Sequence, residues 1–130
     1  MPDSVMNFQH GVAVITGAGS GIGAGLAKHS AELGMRVVLA DVALERAEAV
    51  AEEIRAAGGE ALAVQTDVAV PEALDRLAAL PHEHFGDVTL LVNTAGIETL
   101  GFCWELPASL WEKTLQINIH GAIHGVRAFV

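Results

Sequence analysis

The run Thr16-Gly17-Ala18-Gly19-Ser20-Gly21-Ile22-Gly23 combines what a chain needs to hold an anion against its own amides. Glycine lets the backbone turn through positive φ and approach a charged group that a Cβ would keep away. The pattern predicts that this run joins a buried strand, Val12 to Thr16, to a helix over Ile22 to Leu33, with Ile22, Leu26, Ala27, Ser30 and Leu33 on its apolar stripe. The open N–H groups and positive end of that helix would face the anion. A pyrophosphate suits such a turn. A P-loop does not fit, because Lys28, the only nearby lysine, lies deep in the helix instead of after the last glycine. Counted from Gly17, the spacing also departs from a strict Gly-x-Gly-x-x-Gly, with Ile22 in the final place.

A second group stands 24 residues after Gly17: Asp41, at the end of a predicted strand Arg36 to Ala40. A carboxylate there accepts hydrogen bonds from ribose hydroxyls and repels a 2′-phosphate. Neither Ser20 nor Val42 supplies a cation against that repulsion, and Arg46 lies further on as a solvated or salt-bridging residue. The expected cofactor is therefore NAD in preference to NADP. Asp67 and Val68 follow a third strand, Ala61 to Thr66, at the same edge. Asp67 can accept from an adenine amino group there; capping the next helix is its alternative role.

These groups need a scaffold that brings strand ends together. Ala43 to Ala57 reads as a helix with Leu44, Ala47, Val50, Ala51 and Ile54 on one stripe. Glu45, Glu48, Glu52 and Glu53 form its solvated face, and Gly34 and Gly58-Gly59 stop the first and second helices. Pro71 opens a third helix through Leu74, Leu77 and Leu80, disturbed at Pro81. Val88 to Val92 is a fourth strand with a loop from Asn93, and the capping-box spacing of Ser109 and Glu112 starts a last helix near Leu110. Strands alternating with such helices predict an α/β fold: a doubly wound parallel sheet in three αβα layers, Rossmann-type, as one dinucleotide-binding domain over residues 1–130. Only about four strands are visible, and the apolar run Ala122 to Val130 has no polar stop. The expectation is an N-terminal half, with the fourth strand as a partly uncovered edge.

Composition narrows the partners. With 16 acidic and 7 basic side chains the formal net charge is −9, which repels nucleic acid and anionic lipid. No apolar stretch approaches the roughly 20 residues that span a bilayer, and Met1 to His10 lacks the basic and apolar parts of a signal peptide. A cytoplasmic address is expected. Cys103, the single cysteine, reads as a buried structural thiol between Phe102 and Trp104. No metal site is expected: His120 and His124 are spaced for one, but Gly121 stands where a zinc protease has glutamate, and His82 and His84 read as a solvated helix end.

Taken together, Thr16-Gly17 with Gly21-Ile22-Gly23, Asp41, Asp67-Val68, Asn93-Thr94-Ala95-Gly96 and Asn118 within Gln116 to Gly121 resemble the short-chain dehydrogenase/reductase family. The resemblance runs from about Val12 to the last residue. It implies that Gly17, Gly19, Ser20, Gly21 and Ile22 surround a cofactor's pyrophosphate and ribose, and that Asn93, Ala95 and Gly96 lie against its adenosine ribose and middle. It implies for Asn118 a supporting catalytic role, bending its helix and helping to hold a water of the proton relay. Thr94 departs from the family, which usually has a second asparagine there.

The implied reaction is hydride transfer between a nicotinamide and a small alcohol or ketone, with serine, tyrosine and lysine at the reacting centre. This chain has no tyrosine, and its lysines are Lys28 and Lys113. The catalytic set is expected after Val130, and the chain alone is expected to be inactive. The resemblance also implies a homo-oligomer, dimer or tetramer, with Gly121 and Gly125 allowing a close helix contact. Trp104, Leu106 and Trp111 are open between a substrate pocket and core or interface packing. A non-catalytic NAD-binding module is the alternative function; a methyltransferase is a third, against which Asn93 to Gly96 argues.

Overall fold

Val12–Thr16 forms strand β1 and Arg36–Asp41 strand β2, and apart from half-buried Arg36 every residue of both is buried. Near-continuous apolar runs of this kind belong at the centre of a parallel sheet covered on both faces. A computed structural model describes residues 7–130 and shows that sheet. Residues 1–6, part of the segment read for a signal peptide, lie outside the described residues.

Strand β3 (Ala61–Gln65) lies beside β2, and β4 (Leu90–Asn93) lies on the other side of β1. The order is β3-β2-β1-β4 and every pairing is parallel. The register sets Thr16 opposite both Ala40 and Asn93, so β2, β1 and β4 end within one residue of one another. After β3 the chain returns to pair with β1 from the opposite side. A crevice opens at such a reversal, outside the carboxyl ends of the strands.

Helices α1 (Gly21–Glu32) and α2 (Leu44–Ala56) cover one face, where Ile15, Val37 and Leu39 pack with Ala27, Ala47, Val50, Ala51 and Ile54. Helix α3 (Pro71–His84) and the last helical rod cover the other, where Val14, Val38 and Ala40 meet Leu74, Leu77, Ile117 and Phe129. Alternate residues of β1 and β2 thus feed two cores, as the pleat requires. The three-layer doubly wound architecture is the one predicted. Strand β4 is an edge and only half-buried.

Several local expectations are revised. The α1 stripe is narrower than the pattern suggests: Gly23, Ala27 and Ser30 are buried, but Ile22, Leu26 and Leu33 are exposed. Small residues win there because α1 lies close to its neighbours. Leu44 is likewise exposed at the start of α2. Pro81 does not break α3, which continues through it to His84; its ring is buried and its carbonyl accepts from Phe85 and Gly86. Two of the solvated glutamates are paired, Glu53 with Lys28 at 2.6 Å and Glu48 with Arg55 at 2.6 Å. Gly34 and Gly58 do close their helices, with φ of +88° and +91°.

The last helix starts at Ala108, with Pro107 at the cap, and no side chain caps it, so the Ser109–Glu112 box is not formed. It is also not one α-helix. Helix α4 (Ala108–Leu115) passes through a π-helical turn at Gln116–His120 into α5 (Gly121–Phe129). Gly121 and Gly125 are buried within the chain. A Cβ on the first would meet Val68 and one on the second would meet Asn93 Oδ1, so their smallness serves helix-on-sheet packing here. Cys103 is exposed, on a loop whose Phe102 and Trp104 rings stack 4.9 Å apart in solvent.

Candidate crevice at the strand ends

Thr16 ends β1, and its buried hydroxyl accepts from the amides of both Thr94 and Ala95 at 3.2 Å. This one oxygen fixes the segment after β4 against the glycine turn. Gly17 follows with φ +64°, and a Cβ on it would lie 2.8 Å from Ala95 Cα, so only glycine allows the two backbones this close. Gly23 packs back on the turn in the same way, its missing Cβ occupied by the Gly17 carbonyl.

Helix α1 opens at Gly21. Its first backbone bond from outside the helix runs from Ala24 to the Ser20 carbonyl at 3.2 Å, and no side chain caps the turn. The amides of Gly21, Ile22 and Gly23 therefore have no acceptor among the described residues. The first turn of α1 carries no acid, whereas those of α2 and α3 carry Glu45 and Glu72. An acid there would complement the helix dipole; its absence leaves the positive end open to an external anion.

Asp41 ends β2 almost fully buried. Its Oδ2 accepts from the Gly19 amide and its Oδ1 from the Ala43 amide, each at 2.9 Å. The glycine turn and the strand-end carboxylate are thus in direct contact. A Cβ on Gly19 would stand 2.8 Å from Asp41 Oδ2 and 2.7 Å from Arg46 Cβ, so this glycine is required by the chain's own packing.

A crevice of about 690 Å³ runs along these strand ends. Gly17, Ser20, Gly21 and Ile22 line it from the turn, Asp41 from β2, Asp67 and Val68 from after β3, and Ala95 and Gly96 from after β4. Gly19, expected at the cofactor, is not among the lining residues; its amide donates to Asp41. Among the described lining residues Arg46 is the one cation, against the carboxylates of Asp41, Asp67 and Glu98. A smaller hollow of about 170 Å³ between α1 and α2 shares none of these residues and is spanned by the Lys28–Glu53 pair.

Two further expected residues lie elsewhere. Asn93 is not part of the crevice lining; its Oδ1 is turned to Gly125 of α5. Asn118 stands in the π-helical turn, and its amide is fully engaged with one residue: Oδ1 accepts from the Ile97 amide and Nδ2 donates to the Ile97 carbonyl, both at 2.8 Å. It holds the loop that carries Gly96 and Ile97 into the crevice wall. Asp67 does not cap α3, whose cap residue is Val70 with no side-chain bond; it accepts from the Ala69 amide at 3.0 Å in a local turn and remains exposed at the crevice. The Thr94 hydroxyl is buried with no partner, which is where the departure at this position registers. Trp104, Leu106 and Trp111 do not line the crevice. Sequence reasoning passed over the Thr16 hydroxyl, for which a threonine closing the first strand was the visible signal; Arg46, read as solvated or salt-bridging, is exposed at the crevice.

The sequence pattern described as short chain dehydrogenase matches residues 11–130. The chain belongs to the short-chain dehydrogenase family. The 2,5-dichloro-2,5-cyclohexadiene-1,4-diol dehydrogenase of Sphingobium indicum is 41% identical over 119 residues, covering 92% of this chain and 48% of that protein. A (2S)-[(R)-hydroxy(phenyl)methyl]succinyl-CoA dehydrogenase subunit of Thauera aromatica is 34% identical over 126 residues, covering 92% and 51%. This short-chain dehydrogenase chain thus spans about half the length of the curated relatives it matches. A short-chain dehydrogenase/reductase of Burkholderia phymatum, solved in complex with NAD, superposes with TM-score 0.92 at 45% identity, over 95% of this chain and 44% of that one. A metagenomic short-chain oxidoreductase solved in complex with NADP superposes with TM-score 0.88 at 35% identity, over 93% and 55%. No helix among the described residues is long and apolar enough to cross a membrane, and no group of three metal-ligating side chains occurs among them.

Proposed function

We propose that residues 1–130 form one dinucleotide-binding domain of an NAD-dependent oxidoreductase acting on a small alcohol or ketone. The observation that carries this reading is the Gly19–Asp41 contact at 2.9 Å, which sets a ribose-binding carboxylate beside a glycine turn with open amides. The residues fit the group: glycines 17 and 23 clear the backbone where a Cβ would intrude, and no acid guards the start of α1. Similarity to proteins solved with NAD and with NADP supports a nicotinamide cofactor.

When bound, the nicotinamide supplies or receives the hydride. The chain's own residues bind and orient. The amides of Gly21, Ile22 and Gly23 take the pyrophosphate, and Gly17, Gly19 and Ser20 shape the turn that presents them. Asp41 takes the ribose hydroxyls and disfavours NADP, and Asp67 with Val68 borders the adenine. Ala95 and Gly96 flank the cofactor's middle, held in place by Thr16 and by Asn118 through Ile97. Asn93 supports that wall from the α5 side. The proton-transferring group is assigned outside these 130 residues, because the chain has no tyrosine. A homo-oligomer belongs to the same reading, supported by the exposed apolar ridge of Trp111, Leu115, Ile119, Ile123 and Val126.

Calorimetric titration with NAD, NADP and S-adenosylmethionine tests the cofactor. NAD is expected to bind most tightly, and Asp41→Ala to weaken it about tenfold through lost hydrogen bonds to a charged acceptor. Tighter binding of NADP would overturn the preference, and binding of S-adenosylmethionine alone would overturn the class. Steady NADH formation from an alcohol by the 130-residue chain would overturn the placement of the catalytic group.

A further inference from the structure

Val68, at the far wall of the crevice, is gripped twice by α5. A Cβ on Gly121 would lie 2.7 Å from its Cγ2, so the glycine leaves room for the valine side chain. One turn further along the same face, His124 Nδ1 stands 2.9 Å from the Val68 carbonyl. A carbonyl only accepts, so Nδ1 carries the proton and donates. His124 is half-buried, and nothing in the dinucleotide reading gives it a task.

The neighbouring amides are engaged. That of Thr66 donates to the Asp41 carbonyl at 2.9 Å, that of Ala69 to Asp67 Oδ1 at 3.0 Å and that of Val70 to the Asp67 carbonyl at 3.0 Å. The Val68 amide has no acceptor among the described residues, although Val68 is only 6% exposed and lines the crevice. A donor left open in a buried residue is costly unless something brings it an acceptor.

We propose that His124 is a positioning residue for the base end of the crevice. By holding the Val68 carbonyl it fixes the direction of the Val68 amide, which donates to a ring nitrogen of the base while Asp67 accepts from the amino group. The proposal rests on the dinucleotide reading above. With its side chain set against Gly121 and its carbonyl tied to α5, Val68 cannot turn about its backbone without breaking a contact. Adenine presents an amino donor beside a ring-nitrogen acceptor, which matches a carboxylate beside an amide. The same helical rod grips the opposite wall through Asn118 and Ile97, so one element sets both sides of the crevice.

The test compares dissociation constants for NAD and for the same dinucleotide carrying hypoxanthine in place of adenine. Hypoxanthine has a proton on the ring nitrogen concerned and takes nothing from the Val68 amide. His124→Phe keeps a ring without the donor, and should weaken NAD binding about three- to tenfold but the hypoxanthine dinucleotide less than about twofold. His124→Asn offers an amide donor near the place of Nδ1 and should bring NAD binding back to within about twofold of the unsubstituted chain. Circular dichroism checks that each variant is folded. Equal loss of both dinucleotides, or loss of neither, overturns the role of His124 while leaving the dinucleotide site standing. If His124→Phe does not fold, NMR of the unsubstituted chain decides. Nδ1 of neutral His124 should carry the proton, and the Val68 amide signal should move downfield on adding NAD; a bare Nδ1, or a Val68 signal that stays, overturns the proposal. Binding of neither dinucleotide by the unsubstituted chain overturns the dinucleotide reading itself, and this proposal with it.

Discussion

Gly23 and Gly25 sit two residues apart in α1, yet adding a methyl group to each should move stability in opposite directions. At Gly23 a new Cβ would run into the Gly17 carbonyl oxygen, with Gly17 C at 2.7 Å and Ala18 Cα at 3.1 Å. Each of these atoms is backbone, so no side-chain rotation relieves the clash; the turn or the helix must move. Overpacking of that kind costs about 1–3 kcal/mol, and the upper part of the range applies where backbone must shift. Alanine returns about 1 kcal/mol of helix propensity. Gly23→Ala should therefore lose about 1–2 kcal/mol. At Gly25 nothing lies within 4 Å and φ is not positive, so Gly25→Ala should gain about 0.5–1 kcal/mol. The gap of about 2 kcal/mol corresponds to roughly 8 °C in melting temperature for a domain of this size. Thermal unfolding followed at 222 nm, with a urea titration as a second measure, reads it directly. If Gly23→Ala melts at or above Gly25→Ala, the close packing of the turn on α1 is not what makes glycine necessary there.

Three further substitutions probe the other supports of the crevice. Thr16→Val removes the acceptor shared by the Thr94 and Ala95 amides, and two part-buried donors left open should cost about 2–4 kcal/mol in urea unfolding; an unchanged midpoint would show that the segment after β4 is held by other contacts. Asn118→Ala removes both bonds to Ile97, and in that exposed setting should cost about 1–2 kcal/mol and speed hydrogen exchange at the Ile97 amide; unaltered exchange would exclude the clamp. Thr94→Val trades an unpartnered buried hydroxyl for a methyl group, so the melting temperature should hold or rise by up to about 1 kcal/mol equivalent; a clear fall would mean that the hydroxyl has a partner, such as a bound water.

Periodicity was enough to read the sheet and its three layers, because β1 and β2 are buried on both faces, β1 β-branched except at Ala13 and β2 an apolar run from Val37 to Ala40. The glycine turn and Asp41 were legible as a pair because each stands at a strand end, and parallel strands in register bring their ends together. What escaped the sequence was contact between segments. Whether Gly121 and Gly125 served another chain or Val68 and Asn93 depends on how the rod crosses the sheet, which no local spacing encodes. The Ile22 and Leu26 positions matched a helical stripe, yet the close approach of α1 to its neighbours buries glycine, alanine and serine instead. Pro81 was read as disturbing the end of the third helix because proline removes a donor, yet its ring is buried and α3 runs on to His84, where the Pro81 carbonyl accepts from Phe85 and Gly86. Asn118 was assigned from family likeness, and its bond partner became visible only when the loop beside it had a path.

The π-helical turn at Gln116–His120 has a consequence for the rod that contains it. The Gly121 amide reaches back five residues to the Gln116 carbonyl, so one residue more than an ordinary helix needs is taken up there. If the same residues were wound as an uninterrupted α-helix, the second half would arrive rotated by about 100°. The two small residues that now nestle on the sheet would swing away, and bulkier neighbours would be driven into their place. The surplus residue thus works as a phase adjuster, letting one half of a helix grip the loop while the other half lies flat on the strands.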